Sequence, residues 1–107
     1  LLYMCMCSTH AYRSLTALHP RGRIQVRCCA DVKPSPAWLS LRPGCSVWGE
    51  SDAGWPCTRD KTFAEAEAIC QAAGARLCTA AELADGCTAG TGCRFDFELV
   101  WGVPNRA

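Results

Sequence analysis

Along residues 21–32, RGRIQVRCCADV, apolar Ile24, Val26 and Cys28 alternate with polar Arg23, Gln25 and Arg27, the period of a strand with one buried face. The period changes at residues 63–73, where Phe63, Ala66, Ile69, Cys70 and Ala73 share one helical face. Thr62 and Glu65 form a T-x-x-E capping box for that helix, and Gly74 supplies its stop. Glu65 and Glu67 point away from the apolar face, which predicts a solvated surface and not an acid–base pair. A second box, Thr79 with Glu82, heads a short helix ending near Gly86, and Ala75 to Leu77 is predicted to be a short extended link. In RFDFELVW, residues 94–101, Phe95, Phe97 and Leu99 alternate with charged residues as in a strand. The opening LLYMCMC, Leu1 to Cys7, is too short to span a bilayer and lacks the basic start and cleavage site of a signal peptide. It reads as a strand or buried terminus, and the chain as a mature product or a piece of a longer one.

Breakers divide these elements. Residues 33–44, KPSPAWLSLRPG, carry three prolines, which remove backbone donors and favour an extended connection. The reading is therefore a strand-containing segment at 1–32, a Pro-rich connector at 33–44, and a helical and hairpin portion at 45–107. Residues 45–60, CSVWGESDAGWPCTRD, suggest a hairpin or loop closed by Cys45 and Cys57, with Trp48 and Trp55 as core residues or, alternatively, as platforms for sugar rings. The glycine-rich GCTAGTGC at 86–93 suggests a second loop, closed by Cys87 and Cys93. It is no phosphate loop, because no Lys-Ser or Lys-Thr follows.

Composition sharpens the class. Ten cysteines in 107 residues, about 9%, mark a small secreted disulfide scaffold, and an even count allows all to pair. Zinc requires knuckles of two to four spacer residues or matched Cys and His pairs. Here Cys5 and Cys7 are separated by one residue, Cys28 and Cys29 are adjacent, and Cys45, Cys57, Cys70, Cys78, Cys87 and Cys93 are scattered, while His10 and His19 lack paired partners. The cysteines therefore read as disulfides, with no metal and no cofactor, in an extracellular or cell-surface setting. A net charge of +1 with no basic block excludes a phosphate-tracking surface and makes nucleic acid a poor partner.

The run TFAEAEAICQAAGARLCTAAEL, residues 62–83, resembles the first half of a C-type lectin-like domain at Phe63, Ala66, Cys70, Gly74, Leu77 and Glu82, with Cys45, Trp48 and Cys57 similar to the hairpin of longer members. GARLCTAAEL is also similar to the formylglycine-generating, sulfatase-modifying family, which shares the overall fold, and VRCCAD at 26–31 resembles the last strand of either. The resemblance implies an α+β fold: a small disulfide-rich lectin-like domain with two short helices and antiparallel strands. It also implies that Cys70 meets Cys28 or Cys29, within the chain or in a neighbouring copy. Cys78 is then expected to join the other member of that pair, and Cys5 and Cys7 stay unassigned. The sugar and calcium motifs of the lectins do not occur here, and the sole asparagine is Asn105. The segment carrying the reactive cysteines of the sulfatase-modifying enzymes has no counterpart, and no His stands beside a Cys or Ser as a base.

The strand that resembles the end of the family domain precedes the helices that resemble its beginning. This fits a window cut from tandem repeats or a permuted unit; the alternative is the first strand of one self-contained domain. The expected function is a non-catalytic extracellular structural module, a repeat unit of a cell-surface or filament-forming protein, with copies of itself or other matrix components as partners. The alternative is a monomeric carbohydrate- or protein-binding domain using Trp48, Trp55 or Trp101 for stacking. N-glycans have no acceptor in the sequence, whereas Ser35 and Ser40 are candidate O-glycosylation sites.

Overall fold

The computed structural model describes the backbone of residues 2–6 and 11–15 and, with their side chains, residues 24–95 and 99–105. The described residues form an α+β structure of six strands and two short helices: β1 (Leu2–Met6), β2 (Ala11–Leu15), β3 (Cys28–Ala30), β4 (Trp48–Glu50), α1 (Phe63–Ala72), β5 (Arg76–Leu77), α2 (Ala80–Ala84) and β6 (Leu99–Gly102). Two antiparallel three-stranded sheets result, ordered β2-β1-β6 and β4-β3-β5. The apolar opening segment is thus a strand, pairing Tyr3 with Gly102 and Met6 with Leu99.

β3 lies at the centre of its sheet, and the alternating burial expected around it does not hold. Every residue from Ile24 to Ala30 is buried, Gln25 and Arg27 included. The polar residues are tolerated because each finds partners where it points. Gln25 exchanges backbone bonds with Leu99 and Trp101 of β6, and its side-chain oxygen accepts the Asp60 N–H at 3.2 Å. Arg27 donates from Nε to Ser51 Oγ at 2.9 Å.

Both helices start where their capping boxes lie. Thr62 Oγ1 accepts the Glu65 N–H and Glu65 Oε1 accepts the Thr62 N–H, at 3.2 and 2.9 Å. Thr79 and Glu82 repeat the exchange at 3.2 and 2.8 Å. The Thr62 backbone N–H, then its hydroxyl, holds the Glu65 carboxyl below its ordinary pKa. That contribution to stability is present above the ordinary carboxylate value and is lost as pH falls through the lowered one. Ala75 N bonds back to Cys70 O at 2.9 Å around Gly74, whose φ of +77° is the left-handed turn that glycine takes without strain.

Among the described residues, four disulfides join Cys28 to Cys70, Cys29 to Cys78, Cys45 to Cys87 and Cys57 to Cys93. The bond between strand and helix runs within the chain. The two local loops predicted at Cys45–Cys57 and Cys87–Cys93 do not form. Segments 45–57 and 87–93 instead lie side by side in the same order, so their cysteines pair across the seam. Between the two bridges, Ser51 Oγ meets Thr91 Oγ1 at 2.6 Å. Cys7 lies outside the described residues, and Cys5 is described only as backbone of β1.

The Pro-rich stretch 33–44 is packed onto this body. Trp38 is fully buried, and the Glu50 carboxylate accepts the N–H groups of Leu39 and Ser40 at 2.8 and 3.0 Å. One core cluster holds Ile24, Val26, Trp38, Trp55, Cys70 and Trp101; the other holds Cys29, Val47, Leu83, Phe95 and Val100. Of the strand expected over 94–101, Phe97 falls outside the described residues, Arg94 lies in a turn with φ of +58° and Phe95 is outside any strand, so the described strand is Leu99–Gly102.

Candidate functional site

A shallow cleft of about 290 Å³ opens beside α2, lined by Asp31, Ser46, Val47, Thr79, Ala81, Glu82 and Asn105. Two of its carboxylates, Asp31 and Glu82, are bonded by Arg76. The position of Arg76 on β5, one strand over from β3, brings its guanidinium between two carboxylates. It donates in a fork to Glu82, NH1 to Oε1 and NH2 to Oε2, both at 2.9 Å, and NH2 also donates to Asp31 Oδ1 at 3.0 Å. The Glu82 hydrogen bonds, more than those of Asp31, raise the Arg76 pKa above its ordinary value against the opposing effect of burial. Glu82 therefore serves two groups at once, the guanidinium and the first turn of α2. Asn105 Oδ1 accepts the Ala81 N–H at 2.7 Å, tying the C-terminal strand segment to the same turn.

Two substitutions separate these roles. Glu82→Ala is expected to cost about 2 kcal/mol by removing both the cap and the fork. Glu82→Gln, which still accepts the Thr79 N–H but leaves a neutral partner for Arg76, is expected to cost about 1 kcal/mol or less. Denaturant unfolding at low and high salt checks both, and the loss for Glu82→Gln should shrink as salt rises.

Of the tryptophans predicted to stack on sugars, Trp55 and Trp101 are buried. Trp101 packs edge-on to Phe63 at 5.6 Å and donates from Nε1 to Lys61 O at 2.7 Å; Trp55 lies 5.8 Å from Trp38. Neither presents a ring face. Trp48 is half-buried, and Lys33 Nζ stands 5.0 Å over its ring. Ser35 is exposed and its Oγ accepts the Ala37 N–H at 3.2 Å, while Ser40 is half-buried.

Among the described residues, two cysteine-containing trios come within 4.8 Å: Cys29, Cys78 and Glu82, and Asp52, Cys57 and Cys93. Their sulfurs are in disulfides, and a disulfide sulfur is not the thiolate that binds a metal. A buried polar chain lies elsewhere. The Thr91 hydroxyl donates to Thr88 O at 2.7 Å, so its proton is committed and Ser51 must donate to Thr91 Oγ1 while accepting from Arg27. Arg27 NH1 reaches Thr88 Oγ1 at 3.3 Å. This directional chain joins β3 to both sides of the seam and reads as internal bonding of the fold.

Residue-by-residue reading of the sequence missed Asp31 and Asn105 as cleft residues, Arg76 as the cation that bonds two of the cleft's carboxylates, and Trp38 as core. The signal available for Arg76 was its place between a helix-ending glycine and an acidic capping residue. Neither a protein-family profile, nor a curated protein, nor a solved structure matches the chain.

Proposed function

We propose that the chain is a non-catalytic extracellular structural module, a repeat unit of a cell-surface or filament-forming protein, with a C-type lectin-like fold. What carries the reading is the set of four disulfides, which span 36 to 49 residues each and tie β3, α1 and the segments around Cys45, Cys57, Cys78, Cys87 and Cys93 into one covalent body. Such cross-links persist in oxidising compartments outside the cytosol. They stabilise the body mostly by restricting the unfolded chain, which suits a part that must keep its shape away from chaperones.

The central strand is already paired on both sides by β4 and β5, and Cys70 is bonded to Cys28 of the same chain. An array of these modules is therefore built through surface contacts between finished units, with copies of itself or other matrix components as partners. Ser35, exposed on the Pro-rich stretch, is the proposed O-glycan acceptor on that surface.

A second reading, a carbohydrate- or protein-binding domain, is favoured by the cleft beside α2, where hydroxyl, amide and carboxylate groups converge. Electron microscopy of native material with a non-reducing mass measurement separates the two. Filaments with a regular subunit repeat are the expected result. Discrete monomers would overturn the structural reading and direct attention to the cleft.

A further inference from the structure

We infer that the Cys57–Cys93 disulfide is a site of thiol–disulfide exchange, opened by an external dithiol while Cys28–Cys70, Cys29–Cys78 and Cys45–Cys87 stay closed. The four bridges differ in access. Cys28, Cys29, Cys70 and Cys78 are fully buried, and Cys45 is half-buried against a buried Cys87. Cys57 is exposed and Cys93 half-buried, so of the four it is the bridge with an exposed sulfur-bearing residue. Exchange requires a thiolate to approach a disulfide sulfur, and access decides which bridge is attacked first.

The backbone at this bridge adds a second reason. Cys93 and Arg94 are consecutive non-glycine residues with φ of +63° and +58°. Side chains disfavour that left-handed conformation by about 1–2 kcal/mol per residue. It persists here where the Cys57 bond and a long hydrogen bond, Arg59 NH2 to Cys93 O at 3.3 Å, hold the turn. Opening the bridge removes the covalent half of that restraint, so relaxation of the turn opposes reclosure.

Local charge does not reverse this order. The Asp52 carboxylate lies within 4.8 Å of both sulfurs and repels an incoming thiolate. Arg59, bonded to Cys93 O, offsets it. Access and the strained turn therefore decide.

A thiolate of the dithiol attacks Cys57 Sγ, the Cys57–Cys93 bond breaks, and the electron pair leaves on Cys93 Sγ. That sulfur takes a proton from solvent, and the Ser51 carbonyl oxygen, 3.6 Å away, is placed to accept the new S–H. The second thiol of the dithiol, as thiolate, then attacks its own mixed-disulfide sulfur and releases Cys57 as a thiolate. The protein disulfide is reduced by two electrons and the dithiol is oxidised to a cyclic disulfide.

The test uses the full oxidised chain without denaturant. It is exposed to limiting dithiothreitol near pH 8, quenched with iodoacetamide at intervals and peptide-mapped. Cys57 and Cys93 are expected to be alkylated together at least about tenfold faster than Cys28, Cys29, Cys45, Cys70, Cys78 or Cys87, with the buried-tryptophan fluorescence unchanged at that stage. Earlier labelling of Cys45 and Cys87, or simultaneous labelling of the cysteines of all four described bridges as the fluorescence collapses, would overturn the proposal.

Discussion

Replacing Cys28 and Cys70 together by alanine is expected to lower stability by about 4 kcal/mol and the melting temperature by about 20 °C, measured by thermal unfolding without reductant. The bridge closes a loop of 42 residues, for which the chain-entropy account gives that magnitude. Its native-state role is just as specific. The buried residues of α1 are Ala66 and Cys70, and a face that buries one alanine and one cysteine anchors a ten-residue helix poorly through apolar area alone. Phe63 and Ile69 add partly buried contacts, but the covalent bond to β3 fixes the helix on its strand.

A matched comparison isolates that anchor. Cys57 and Cys93 are 36 residues apart, and because the entropic term grows only as the logarithm of loop length, it is nearly equal for the two bridges. The exposed pair anchors no helix and is held beside a strained turn. Its removal should therefore cost less than removal of Cys28 and Cys70. Equal losses would show that α1 is seated by packing and that the disulfide acts through the unfolded chain alone.

The helices were legible because their information is local. Thr62 with Glu65, and Thr79 with Glu82, declare a start within four residues, and the structure uses both hydroxyls and both carboxylates as that pattern requires. The half-buried strand was misread in one respect. Alternation around Arg27 shows which residues are polar, but not that segments 45–57 and 87–93 supply hydroxyls from distances of 24 and 61 residues to bury it. The cysteine loops failed for the same reason. Cys45 and Cys57 flank a loop in sequence, and proximity along the chain favoured their union; the pairing is set by two loops laid alongside each other, a tertiary event with no periodicity to announce it. The cleft shares this character, since Asp31, Val47, Glu82 and Asn105 come from four separate stretches, and Arg76 reaches Asp31 and Glu82 only once β3 and β5 are paired. Trp38 shows the limit of compositional reading: three neighbouring prolines mark an extended segment, yet one indole carries it into the core.

That seam between the two loops is also where a single methyl group is expected to do the most damage. Gly49, in the middle of β4, pairs with Cys29 and donates its N–H to Ser40 O at 3.1 Å. A β-carbon there would lie 2.9 Å from the Cys87 carbonyl carbon and 3.0 Å from Thr88 Cγ2, with the Cys87 oxygen closer still. Neither side can retreat cheaply. β4 is held by β3, while Cys87 is bonded to Cys45 and its N–H donates to Glu82 O at 3.0 Å at the end of α2. Gly49→Ala is accordingly expected to cost about 3 kcal/mol, the upper range for forcing an extra carbon into a packed interior. Gly44→Ala is the control. Gly44 has a φ of +84° and open space around it, so its substitution tests backbone conformation alone and should cost about 1 kcal/mol. Denaturant unfolding of both variants, disulfides intact, separates the two effects. A Gly49→Ala loss no larger than that of Gly44→Ala would mean that the loops do not meet as closely as the seam requires, whereas the larger loss would make the contact between β4 and Cys87 the reason this strand position admits only glycine.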